Sequence, residues 1–127
     1  MMPEDKKFYS FYNSIMNIDE KVRYVAIIQK SGNVVFEGQK EGIKNCISDK
    51  NQIKTIKHVC DVWFLRDQFS EEIGMGKFAM AEYEKIIRFS FPINPNFFLF
   101  ITTEKEIDSC EFVDNILKIK ESHYDRC

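Results

Sequence analysis

The sequence predicts a three-layer α/β (α+β) sandwich, a five-stranded antiparallel sheet between helices in the order α-β-β-α-β-β-β-α. Three observations predict it. Two segments, Val25–Ile28 (VAII) and Phe97–Thr102 (FFLFIT), are apolar on both faces, as strands covered by helices on both sides must be. Three other stretches repeat apolar residues at three- and four-residue steps, the period of an amphipathic helix. Short polar connections join neighbouring β-rich runs into hairpins.

The elements follow in order. Pro3 opens a first helix, in which Phe8, Phe11, Tyr12, Ile15 and Ile18 form one apolar stripe down to about Asn17. Val22–Gln29 (VRYVAIIQ) and Val34–Gln39 (VVFEGQ) flank Lys30-Ser31-Gly32-Asn33, where glycine supplies a positive φ for a hairpin. After the polar stretch 40–49, a second helix is expected to start at Asp49, capped through Asp49 and Gln52, and to stop at Gly74. Beyond Gly74-Met75-Gly76, Phe78–Tyr83 and Ile86–Phe91 form a second hairpin through Glu84 and Lys85. Pro92 and Pro95 then confine the next connection to a loop. Ile87, Phe89 and Phe91 point to one side of their strand, and Arg88 and Ser90 to the other. Thr103 and Glu106 read as a capping box for the last helix, with Ile107, Cys110, Val113, Ile116 and Leu117 inward and a polar tail after Glu121. Helices one and three should share one sheet face and the middle helix take the other.

With 127 residues and 44% apolar composition, the whole chain (1–127) reads as one domain with a single core. A formal charge of −2 supplies no field for nucleic acid or an anionic membrane, and no apolar run reaches bilayer length. The first residues lack a signal-peptide core, so a cytoplasmic protein is expected. Cys46, Cys60, Cys110 and Cys127 form no CxxC pair and read as reduced thiols, with Cys60 and Cys110 in core positions.

Catalytic signals are missing from the pattern. His58 and Cys60 project about 200° apart on a helix and cannot form a local nucleophile and base pair. His123 and Cys127 are spaced for a metal but lack further ligands, and no glycine-rich phosphate loop is present. Neither an enzyme nor a cofactor is expected.

The most pointed signal lies on the middle helix. Ile53, Ile56, Val59, Cys60, Trp63 and Phe64 make a sheet-facing arc, which Val62, Leu65, Phe69 and Ile73 widen to roughly 260°. One sheet contact needs little more than a 100° stripe, so the excess at Leu65 and Phe69 is covered either within the chain, by the segment 40–48 or the third hairpin, or by another chain. Lys50, Lys54 and Lys57, preceded by Lys40 and Lys44, share the polar arc. They form a candidate anion contact, diluted by Glu41, Asp49 and Asp61, and otherwise a solvated face.

The element order, the two apolar central strands and the over-apolar middle helix resemble the roadblock/longin group, specifically the roadblock (dynein light chain) type, across the whole chain. The hairpin VRYVAIIQKSGNVV also resembles small archaeal proteins. The roadblock resemblance implies sheet order 2-1-5-4-3 and a homodimer or heterodimer with a related domain. That dimer would form through the middle helix and strand Phe78–Tyr83, giving Val62, Leu65, Phe69, Ile73, Phe78, Met80 and Tyr83 as interface residues. It further implies a non-catalytic scaffold, a platform or regulator for a small Ras-like GTPase or a larger complex. The alternative is a PAS, GAF or profilin-like sensor holding a small ligand among Phe89, Phe91, Phe97, Phe98 and Phe100.

Overall fold

The computed structural model describes residues 3–44 and 46–124, with side chains from Lys6 to His123. The elements are α1 (Pro3–Met16), β1 (Val22–Gln29), β2 (Val34–Gln39), α2 (Asp49–Asp67), α3 (Ser70–Ile73), β3 (Ala79–Glu82), β4 (Ile86–Asn94), β5 (Phe97–Glu104) and α4 (Ser109–Tyr124). The five strands form one antiparallel sheet in the order β2-β1-β5-β4-β3.

The two strands that are apolar on both faces, β1 and β5, lie in the interior of this order, and their alternate residues feed two separate cores. Val25, Ile27, Leu99 and Ile101 join Phe8, Phe11 and Ile15 of α1 and Phe112, Val113 and Ile116 of α4. Tyr24, Ala26, Ile28, Phe98 and Phe100 meet Ile56, Cys60 and Trp63 of α2. The expected layering, two helices on one face and the middle helix on the other, is therefore what the molecule has.

The first hairpin turns where Gly32 takes φ +101°, with Gln29 N donating to Asn33 O at 2.8 Å. Helix α2 starts one residue earlier than Asp49 would place its cap: the Ser48 hydroxyl accepts from Asn51 N at 3.2 Å, so Ser48, not Asp49, fills the cap position. The helix is also shorter than expected. Gln68 N and Phe69 N donate to Leu65 O and Arg66 O, each at 3.1 Å, and these three-residue bonds tighten the last turn and end α2. A single further turn, α3, then runs to Gly74 at φ +86°.

Four further expectations are corrected. Strand β4 does not stop at Phe91 but runs through Pro92 to Asn94, with a register shift between them. Its pairing with β3 reaches only Ser90, so a proline without an N–H is tolerated on the open side beyond. Thr103 does not cap α4: it is buried in β5, and Asp108 Oδ1 accepts from Glu111 N at 3.1 Å instead. Cys110 is exposed, and Phe112 takes its inward place. The segment after Glu121 is still helical to Tyr124, where the His123 ring lies 5.5 Å from that of Phe11. Cys127 lies outside the described residues.

Candidate functional site: the exposed α2–β3 surface

Helix α2 touches the sheet along a narrow line. Gln52, Ile56, Cys60 and Trp63 are its buried residues, and they fall within roughly 80° of one another on the helical circumference. Trp63 is the anchor. Its ring stacks on Phe98 at 6.0 Å, and its indole Nε1 donates to Ser90 Oγ at 2.9 Å, satisfying a polar atom that burial would otherwise strand. Cys60 Sγ donates to Gln29 O at 3.7 Å, and burial pushes its thiol pKa up.

Because the contact line is narrow, apolar side chains remain outside it on both flanks. Ile53 and Phe64, expected to face the sheet, are 70% and 69% exposed. On the far side and beyond the helix end, Leu65 (54%), Phe69 and Ile73 are exposed as well, and Val62 is half-buried. Among the described residues Leu65 is left uncovered, and Ser48 stands at the opposite end of α2, where it caps the N-terminus. Met75, Phe78, Met80 and Tyr83 continue the exposed apolar series along the chain into β3. That strand ends the sheet, so its outer edge has no strand beside it.

The seven residues read as an interface are not all on one side. Directly opposed residues of an antiparallel pair share a face. Phe78 stacks on Phe91 at 6.0 Å and Met80 lies opposite Phe89, so both sit on the α1–α4 side of the sheet edge. Tyr83 instead lies under the Arg88 guanidinium, 5.6 Å from its ring centre, on the α2 side, with Val62 across a cleft. The edge strand itself is what joins the two groups.

Between α2 and strands β3 and β4 lies an open cleft of about 290 Å³. Lys54, His58 and Arg66 of α2 and Arg88 of β4 contribute to its lining, a feature that sequence reasoning missed because it needs the strand register to bring Arg88 opposite the helix. Of the candidate anion contacts, Lys54 lines this cleft, whereas Lys50 and Lys57 stand on exposed α2 surface outside it. His58 is exposed and Cys60 buried, as their angular separation requires.

The aromatic set proposed to line one ligand pocket is divided by the sheet. Phe89, Phe91 and Phe97 pack on the α1–α4 side, where Phe97 meets Phe8 edge-on at 4.7 Å, and Phe98 and Phe100 pack under α2. Alternation along β4 and β5 forces this division, and it removes the single aromatic pocket. Among the described residues, no three His, Cys, Asp or Glu side chains gather as metal ligands, and no helix is long and apolar enough to cross a membrane.

Comparison with solved structures places this architecture. A Roadblock/LC7 domain from Streptomyces avermitilis superposes with a TM-score of 0.68 at 9% identity, covering 89% of this chain and 91% of that one. An MglB described with a tetrameric arrangement gives 0.68 at 8% identity over 97% of this chain and 94% of its own. A chain of the complex of LokiProfilin2 with rabbit actin gives 0.53 at 12% identity, with 100% of each chain covered. At such identities the likeness establishes the fold alone, and that fold is the roadblock type, with the strand order the resemblance implied. No curated protein sequence matches the chain. Residues 2–126, nearly the full length, match a single family profile, and the chain belongs to that family of unknown function, DUF6659.

Proposed function

We propose that this protein works by binding other polypeptides through α2, α3 and β3, without catalysis, and that its first partner is a second copy of itself. One observation carries the reading. Most of the large hydrophobic side chains exposed on the molecule fall between Ile53 and Tyr83, on one helix, the turn after it and the unpaired edge strand. Scattered apolar residues are normal on a surface, but a series of this kind joined to a free strand edge is the composition of a contact awaiting a partner.

A second copy fits because an edge strand pairs readily with its own antiparallel image, and a two-fold contact brings the same helix along with it. Phe78 and Met80 on one side of that edge and Tyr83 on the other would then all be covered, although they share no face within one protomer. The tetrameric MglB of similar fold supports self-association as a use of this architecture. A heterodimer with a related domain and a platform for a small Ras-like GTPase are finer versions of the same reading.

The test is a dilution series of the full chain by multi-angle light scattering. A mass of two chains at tens of micromolar, falling on dilution, is expected. A monomer throughout removes the self-association, and capture of a GTPase on the wild-type surface but not on a Leu65→Asp variant then decides the heterologous version.

A further inference from the structure

The cleft between α2 and the β3–β4 edge has a lining that the protein contact does not explain. Its basic side chains are Lys54, His58 and Arg66 from α2 and Arg88 from β4, and no carboxylate contributes to the lining. Among the described residues, none of these four takes part in an ion pair; the ion pairs are Arg23 with Glu104 and Lys30 with Asp67. The Arg66 guanidinium lies 4.9 Å above the Trp63 ring, and that of Arg88 is held 5.6 Å from both the Tyr83 and Phe100 ring centres. These rings fix where the positive charges point without neutralising them.

Arg88 carries the decisive detail. Its Nε is buried and has no hydrogen-bond partner among the described residues. A guanidinium N–H removed from water without an acceptor is costly, and an arginine cannot relieve the cost by losing its proton. Most of the remaining lining is apolar, Val59, Val62, Ala79 and Phe100 among it, with Thr55, Tyr83 and Ser90 as its uncharged polar members. A guanidinium held by two rings at the cleft, Lys54 and Arg66 on the helix wall and a largely apolar surround match a negative group carried on a hydrophobic body.

We propose that this cleft binds a small organic carboxylate with an apolar chain, its carboxylate accepting from Arg88 and its chain lying against Val59, Val62 and Phe100. A phosphate group fits less well. Phosphate sites use several backbone N–H groups at a helix N-terminus or glycine-rich loop, whereas this wall is the middle of α2, and Ser48 caps the distant N-terminus. The cleft shares Val62, Met80 and Tyr83 with the surface proposed for association, so the solution mass is recorded along the titration; the inference itself is argued from the cleft and does not require that association.

The experiment is a titration of the full chain with octanoate, followed by ¹H–¹⁵N chemical shifts, with octanol and acetate as controls for chain and charge alone. Octanoate is expected to saturate at submillimolar concentration and shift Val59, Val62, Ala81 and Phe100. Octanol and acetate should each bind at least about tenfold more weakly, because each loses one half of the interaction. Arg88→Met keeps the stem over the rings and should weaken octanoate to the same extent. Arg66→Gln, on the exposed helix wall where folding is not at stake, should weaken it by a smaller factor. Binding that does not saturate below about ten millimolar, or that is as tight for octanol or for Arg88→Met, overturns the proposal. If octanoate does not bind but Arg88→Met lowers the solution mass, the cleft accepts an acidic side chain of a partner instead; the ligand inference then fails and the association stands.

Discussion

The indole nitrogen of Trp63 donates to the Ser90 hydroxyl at 2.9 Å across the buried seam between α2 and β4. It ties the middle helix to the sheet at a fully buried point, beside both the cleft and the exposed face. Ser90→Ala should leave the indole N–H stranded and destabilise the fold by about 1–3 kcal/mol. Chemical denaturation followed by the fluorescence of Trp63, the single tryptophan, measures it directly. An unchanged midpoint would mean that the bond contributes nothing net.

Gly76 is held against the same ring. A Cβ built there would come within 2.5 Å of Trp63 Cζ3, a ring that stacking on Phe98 prevents from moving freely. Gly76→Ala should therefore lower the melting temperature, with a cost of about 1–3 kcal/mol typical of overpacking.

Among the thiols, Cys60 is buried, and desolvation followed by the nearby Asp61 charge raises its pKa, whereas Cys46 and Cys110 are exposed. A variant retaining only Cys60 should react with a thiol reagent at neutral pH much more slowly than variants retaining only Cys46 or only Cys110. Equal rates would show that the α2–sheet seam opens readily.

Tyr24 lies in that seam, its hydroxyl donating to Glu37 Oε2 at 3.4 Å, and burial is the main cause that raises its pKa from 10.0 to about 12. A folded-state pKa above the unfolded value means that the folded protein holds its proton longer. The stabilisation is complete below pH 10 and is lost as the pH rises through about 12. Unfolding midpoints should fall over that window, and Tyr24→Phe should flatten the fall.

Much of the architecture was legible because alternation and helical period are set by burial. VAII and FFLFIT are apolar on both faces, and they became β1 and β5 in the sheet interior. The misreadings have a common origin in geometry finer than the pattern. Ile53 and Phe64 lie only about 60–80° from Ile56 around the helix, close enough to read as inward, yet the bulk of Trp63 makes the contact a line and leaves them outside. The end of α2 at Asp67 carries no proline or glycine, so nothing in the residues announced it. The cleft depended on register: Arg88 lies opposite Ala81 and Thr102, a relation between three strands that no local pattern encodes.

If the exposed apolar surface of α2 and β3 is a contact with a second copy, Leu65→Asp should break it. Leu65 is 54% exposed in the protomer, so the substitution should leave folding intact, as a thermal melt would verify. Within a dimer it would bury an unpaired carboxylate, at a cost on the order of several kcal/mol against the ~8 kcal/mol that holds a micromolar dimer. Light scattering at tens of micromolar should give two chains for the wild type and for Lys6→Asp, exposed on α1, which packs on β1, β2 and α4 rather than β3, and one chain for Leu65→Asp. A Leu65→Asp protein with the same dimeric mass as the wild type would contradict the account.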